Sequence, residues 1–71
     1  MILVTGAGGF IGGGQNNSVT GSDSVIAGGV GNDVSGQQSF LGGGGVNSIT
    51  ALRGTVGGGY GNVVSAQYGF I

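Results

Sequence analysis

Residues 4–12 read VTGAGGFIG. Taken alone, this is an apolar strand, begun at Met1, that runs into a Gly-rich turn of the kind that cradles a pyrophosphate. Set against the rest of the chain, it is the seam between two copies of a repeat. The chain carries four full units of fifteen residues: FIGGGQNNSVTGSDS (10–24), VIAGGVGNDVSGQQS (25–39), FLGGGGVNSITALRG (40–54) and TVGGGYGNVVSAQYG (55–69). Residues 1–9 form a partial unit, and Phe70 and Ile71 begin the next, so residues 1–71 read as one repeat domain. A fixed period of this kind is the mark of stacked-repeat architectures.

Seven columns of the repeat keep their chemistry. The second holds Ile11, Ile26, Leu41, Val56 and Ile71. The tenth holds Val19, Val34, Ile49 and Val64, all β-branched. The fourth and fifth are Gly throughout: Gly13 and Gly14, Gly28 and Gly29, Gly43 and Gly44, Gly58 and Gly59. The eighth is Asn: Asn17, Asn32, Asn47 and Asn62. The eleventh is a hydroxyl (Thr20, Ser35, Thr50, Ser65), and the twelfth is small (Gly21, Gly36, Ala51, Ala66).

Projected backwards, the frame puts Val4, Thr5 and Gly6 in columns ten to twelve. The VTG at 4–6 is then the same element as the VTG at 19–21. Only Met1–Leu3 depart from the frame, with Ile2 where Asn is expected. TGAGGFIG does resemble the TGxxGxxG turn of extended short-chain dehydrogenases and epimerases. In that family a helix succeeds the glycines and aims its N-terminus at the pyrophosphate. Here the glycines lead into GGGQNNSVTGSDS, too rich in Gly, Asn and Ser to hold a helix. The family's Tyr-x-x-x-Lys has no counterpart either, because the chain has no Lys. No dinucleotide or other cofactor is expected.

Composition narrows the function classes. Asp23, Asp33 and Arg53 are the only charged side chains in 71 residues, so there is no basic footprint for nucleic acid. No apolar run is long enough for a membrane-spanning helix, and the start lacks the basic and apolar regions of a signal peptide. Cys and His are absent, which excludes disulfides and the usual zinc sites. Gly supplies 21 residues without Pro or a G-X-Y period, so the chain is not collagen-like. If those glycines are ordered, they cost on the order of 10–20 kcal/mol relative to Ala. A chain this short offsets that only with reinforcement, and oligomerisation is the means left to it.

Each unit holds two short β-prone stretches, around columns one to three and eight to eleven, separated by turn-forming segments. That pattern predicts an all-β fold: a parallel β-solenoid, or β-roll, with one fifteen-residue unit per coil. Columns two and ten would stack as inward apolar ladders. The Asn column would form an amide ladder or adopt the left-handed conformation at a turn. The Gly pair would allow positive φ or the close approach of another backbone. Eleventh-column hydroxyls would bond backbone at a corner. Two aliphatic residues per coil make a thin core, so another chain is expected to pack close to the Gly column.

The units resemble the head repeats of trimeric autotransporter adhesins, the YadA-like family, with its SVAIGxxAxAxG pattern. SVIAGGVGNDVSG (24–36) and SFLGGGGVNSITA (39–51) carry the likeness, with one extra residue in the Gly turn. Similar GGGxxNxxSGxxS arrays occur in bacterial surface proteins and phage tail fibres. The resemblance implies a left-handed β-roll of three chains, located outside the cell, that works in adhesion. Its implied partners are copies of itself, extracellular matrix and surface glycans.

Other candidate sites are weaker than their plain structural readings. GGVGND (28–33) matches the start of the calcium-binding GGxGxD nonapeptide, but the period is fifteen and Asp33 is the only Asp in its column. Asp23 and Arg53 share column fourteen two coils apart, as solvated edge residues. Asn16-Asn17-Ser18 is a formal glycosylation sequon. Phe10, Phe40, Tyr60, Tyr68 and Phe70 read as edge packing between chains before they read as ligand contacts. Ser and Thr are plentiful, yet no His or Lys is present to activate them, so no catalytic residue is assigned. The leading expectation is a non-enzymatic structural and adhesive segment of an extracellular fibre. The alternative is a self-polymerising filament subunit, since solenoid ends left open invite head-to-tail growth. An ice-binding solenoid is the minor alternative, weakened by a hydroxyl column one residue wide.

Overall fold

The computed structural model describes residues 1–71. Nine short strands run in chain order: β1 (Ile2–Val4), β2 (Phe10–Ile11), β3 (Asn17–Val19), β4 (Val25–Ile26), β5 (Asp33–Val34), β6 (Phe40–Leu41), β7 (Ser48–Ile49), β8 (Thr55–Val56) and β9 (Val63–Val64). The odd strands form one parallel sheet, β1-β3-β5-β7-β9, and the even strands a second, β2-β4-β6-β8. Every pairing is offset by one repeat: Val19 lies beside Val34 and Val34 beside Ile49, while Ile11 lies beside Ile26 and Ile26 beside Leu41. The chain is a parallel β-solenoid in which each unit makes one coil.

A third line of parallel bridges runs through column six, joining Gln15 to Val30, Val30 to Gly45 and Gly45 to Tyr60. The repeat pattern pointed to two β-stretches per coil. The third escapes it because backbone alone makes the contact, so column six needs no constant side chain.

Two corners close each coil, and both are left-handed. In column seven Asn16 and Val46 have φ of 56° and 54°, with Gly31 and Gly61 at 70°. In column fourteen Asp23, Gln38, Arg53 and Tyr68 have φ between 55° and 60°. The Asn column itself stays extended, so the corner falls one residue before it. A left-handed residue reverses the direction of its amide. The Val46 N–H donates back to Val30 of the preceding coil, and Arg53 back to Gln37, whereas Gly45 donates forward to Gly59. Corners on opposite sides flatten the coil. The molecule measures 27 × 26 × 12 Å, and its thin dimension is a pair of sheets packed face to face, about 10 Å apart.

The core lies between the sheets. Val19, Ile26, Val34, Leu41, Ile49 and Val56 have no exposed surface, Val64 is buried, and Ile11 packs partly buried at one end. Column fifteen explains how so few side chains fill the space. A Cβ on Gly54 would lie 2.6 Å from Ile49 Cγ2 and 2.9 Å from Val64 Cγ1. The aliphatic side chains of one sheet thus reach the backbone of the other. At Gly54 the core is closed by side chains of its own coil and of the next.

Candidate functional site

Inside the roll, the Asn column forms a continuous ladder. The Asn32 N–H donates to Asn17 Oδ1 at 3.0 Å, Asn47 N–H to Asn32 Oδ1 at 3.0 Å, and Asn62 N–H to Asn47 Oδ1 at 2.9 Å. Each amide nitrogen reaches across to the Gly columns: Asn32 Nδ2 donates to the Gly28 carbonyl at 3.2 Å and the Gly44 carbonyl at 3.1 Å. Asn17, Asn32 and Asn47 are buried, and Asn62, at the end of the ladder, is half-buried. No buried side-chain polar atom lacks a partner.

This ladder supplies the reason for the fifth-column glycines, and it lies within the chain. Gly29 has φ of 108°, and a Cβ there would sit 2.2 Å from the Gly44 carbonyl oxygen and 2.7 Å from Asn32 Nδ2. The close neighbours of the fifth-column glycines are the next coil and the coil's own Asn. The fourth column differs. A Cβ on Gly13 or Gly58 would meet nothing within 4 Å, while Gly28 and Gly43 face only distant carbonyls.

A second buried ladder was not legible in the sequence. The Ser39 N–H donates to Ser24 Oγ at 3.0 Å, Ser24 Oγ donates to the Gly36 carbonyl at 2.7 Å, and the Gly54 N–H donates to Ser39 Oγ at 3.1 Å. Column fifteen is Gly9, Ser24, Ser39, Gly54 and Gly69, so only smallness is shared along it. The eleventh-column hydroxyls directly follow the odd strands and stand exposed beside that sheet's outer face. Two of them, Ser35 and Thr50, reach carbonyls of the next coil at 3.5 Å. Column nine shares that face, so Ser18 and Ser48 stand beside Thr20 and Thr50 and the hydroxyl surface is two columns wide, interrupted by Asp33 and Val63.

The even sheet turns a different chemistry outward. Column one presents Phe10, Val25, Phe40, Thr55 and Phe70, with Gly12, Ala27, Gly42 and Gly57 beside them in column three. The three Phe residues are 56, 45 and 78 % exposed in chain order. Tyr60 and Tyr68 lie at the rims, both largely exposed. Along the column-fourteen corner, Arg53 Nε donates to Gln38 Oε1 at 2.8 Å and the guanidinium sits 5.8 Å from the centre of the Tyr68 ring. Gln38 thus separates Asp23 from Arg53, and both charges are exposed.

Asn16 of the sequon is exposed at a corner and accepts a hydrogen bond from the amino group of Met1 at 3.0 Å. Asp33 is exposed on the hydroxyl face, and no group of three or more potential metal ligands occurs. No pocket indents the surface, and no helix is long and apolar enough to cross a membrane. The candidate surface consists of two broad faces of different character and a ridge of unlike side chains.

Fold and surface together define the class: a flattened parallel β-solenoid built from a repeat, with structural character. No family model, curated protein or solved structure matches the chain.

Proposed function

We propose that this chain is a rigid, non-enzymatic structural and adhesive segment of an extracellular fibre, comparable to an adhesin head or a tail-fibre shaft, that works as an assembly of copies of itself. The observation that carries the reading is the surface. Large apolar side chains, Phe10, Val30, Phe40, Val46, Tyr60 and Phe70 among them, stand at about half exposure or more on a chain with three charged residues. Surface of this kind on a small domain marks a place of association. Stiffness comes from the backbone bonding between coils along both sheets and the column-six bridges. The chemistry available, hydroxyls and amides without a base or a nucleophile activator, suits contact rather than turnover.

Molar mass by light scattering over a range of concentrations, with electron microscopy of the same sample, tests the proposal. A discrete small assembly of short rods supports it, and three copies is the number the family resemblance implies. Filaments that lengthen with concentration support the polymerising alternative. A folded chain that stays monomeric at every concentration refutes both.

A further inference from the structure

The two broad faces of the roll divide polar from apolar. The outer face of the odd sheet carries Ser18, Thr20, Asp33, Ser35, Ser48 and Thr50, with apolar Leu3 and Val63 only at its two ends. Columns one and three of the even sheet carry no charge, and Thr55 supplies the only side-chain hydroxyl there. A polar ligand laid on those columns would lose water from its own hydroxyls with almost nothing to replace it. An apolar, flat surface suits it better.

The even face also has relief. Phe10, Val25, Phe40, Thr55 and Phe70 alternate bulky and small from coil to coil. The ridges stand two coils apart, about 9.6 Å. The rings lean over the glycines beside them: a Phe10 ring carbon lies 3.5 Å from where a Cβ on Gly12 would be, and a Phe40 ring carbon 3.4 Å from that of Gly42. Val25 and Thr55 floor the troughs between ridges. A surface with alternate rows raised is complementary to itself when turned over and shifted by one row, as in a steric zipper. Such a contact is isologous and closes with two copies. Within a molecule whose broad outline is 27 × 26 Å, the three Phe side chains, 56, 45 and 78 % exposed, are the largest apolar groups this face offers a partner.

We propose that the outer face of the β2-β4-β6-β8 sheet is the docking surface for a second copy of this chain, the Phe ridges of one seated in the Val25 and Thr55 troughs of the other. This rests on the reading that copies associate, and it adds the face and the pairing. A flat face seats one flat partner, so the geometry points to pairs with solenoid axes antiparallel, not to three chains about one axis. The hydroxyl faces are left outward on both sides of the pair.

Light scattering across concentrations, on wild type, Phe40→Lys, Val25→Arg and Thr20→Lys, tests the assignment. Circular dichroism checks that each is folded. Because each substitution occurs twice in a pair, Phe40→Lys and Val25→Arg are expected to raise the dissociation constant at least about a hundredfold. Thr20→Lys, on the opposite face, is expected to leave it within a few-fold of wild type. If wild type associates and the two even-face variants associate equally well, the face assignment falls and the self-association reading stands. A wild-type mass of three copies overturns the pairing in the same way. A monomeric wild type overturns this proposal and the self-association reading together.

Discussion

Asn32→Ala tests the central structural claim, that a ladder of buried amides holds the two sheets in register. The Asn32 side chain accepts the Asn47 N–H at 3.0 Å and donates to the carbonyls of Gly28 and Gly44. Gly44 also accepts from Val30, but Gly28 and the Asn47 amide have no other partner. Alanine therefore strands one part-buried carbonyl and one buried amide, each costing about 1–3 kcal/mol. The sum, about 2–6 kcal/mol, is a large part of the roughly 4–11 kcal/mol that 71 residues usually provide. Urea unfolding at fixed protein concentration, followed by circular dichroism, measures it. Asn32→Asp refines the argument. It keeps the acceptor for Asn47 but loses the donor to Gly28 and Gly44. Burial beside two carbonyls raises the carboxyl pKa above its unfolded value, so the variant approaches wild type at or below about pH 4. Its stability then falls as the pH rises from there through the raised value. A loss under about 1 kcal/mol for Asn32→Ala, the size of a surface substitution, refutes the ladder as a stabilising element.

Further substitutions separate positions that look alike in the sequence. Gly29→Ala is expected to lose at least about 3 kcal/mol in urea unfolding, from steric conflict and positive φ, whereas Gly58→Ala, in open space without positive φ, stays within about 0.5 kcal/mol of wild type or gains slightly. Val46→Gly removes a β-branched side chain from the left-handed region and is expected to raise stability by about 0.5–1 kcal/mol after the entropic cost of Gly, seen as a higher thermal midpoint. Leu41→Ala, at a side chain with no exposed surface, is expected to cost about 2–5 kcal/mol. A cost below about 1 kcal/mol there would mean the core is held by something other than its aliphatic ladders.

Columns two and ten were legible because their side chains do the same job in every coil. A buried ladder forces one chemistry down a column, and Ile26, Leu41, Val34 and Ile49 show it directly. The N-terminal VTGAGGFIG became readable for the same reason once its Val4 was placed beside Val19, its partner across the odd sheet. What stayed hidden has physical causes. Column six joins coils through backbone alone, so Gln15, Val30, Gly45 and Tyr60 share nothing. The corners are left-handed at Val46, Gln38, Arg53 and Tyr68, residue types that seldom signal such a turn. The Gly columns were visible, but a glycine does not say which atom a Cβ would strike. That took the position of Asn32 Nδ2 and the next coil's carbonyl. The outward surfaces were the least legible, because solvent imposes no common chemistry on them.

Along the column-fourteen corner, Gly8, Asp23, Gln38, Arg53 and Tyr68 occupy one backbone pose, with φ between 55° and 73°. Small, acidic, amide, basic and aromatic groups are thus exchanged there on the same scaffold. Winding and labelling are written at different places in each unit. Adding a coil extends the ridge by one slot, about 4.8 Å further along, and the slot's occupant is free of the packing that sets the roll. A lineage of such chains can rewrite what the ridge spells while its spool stays the same.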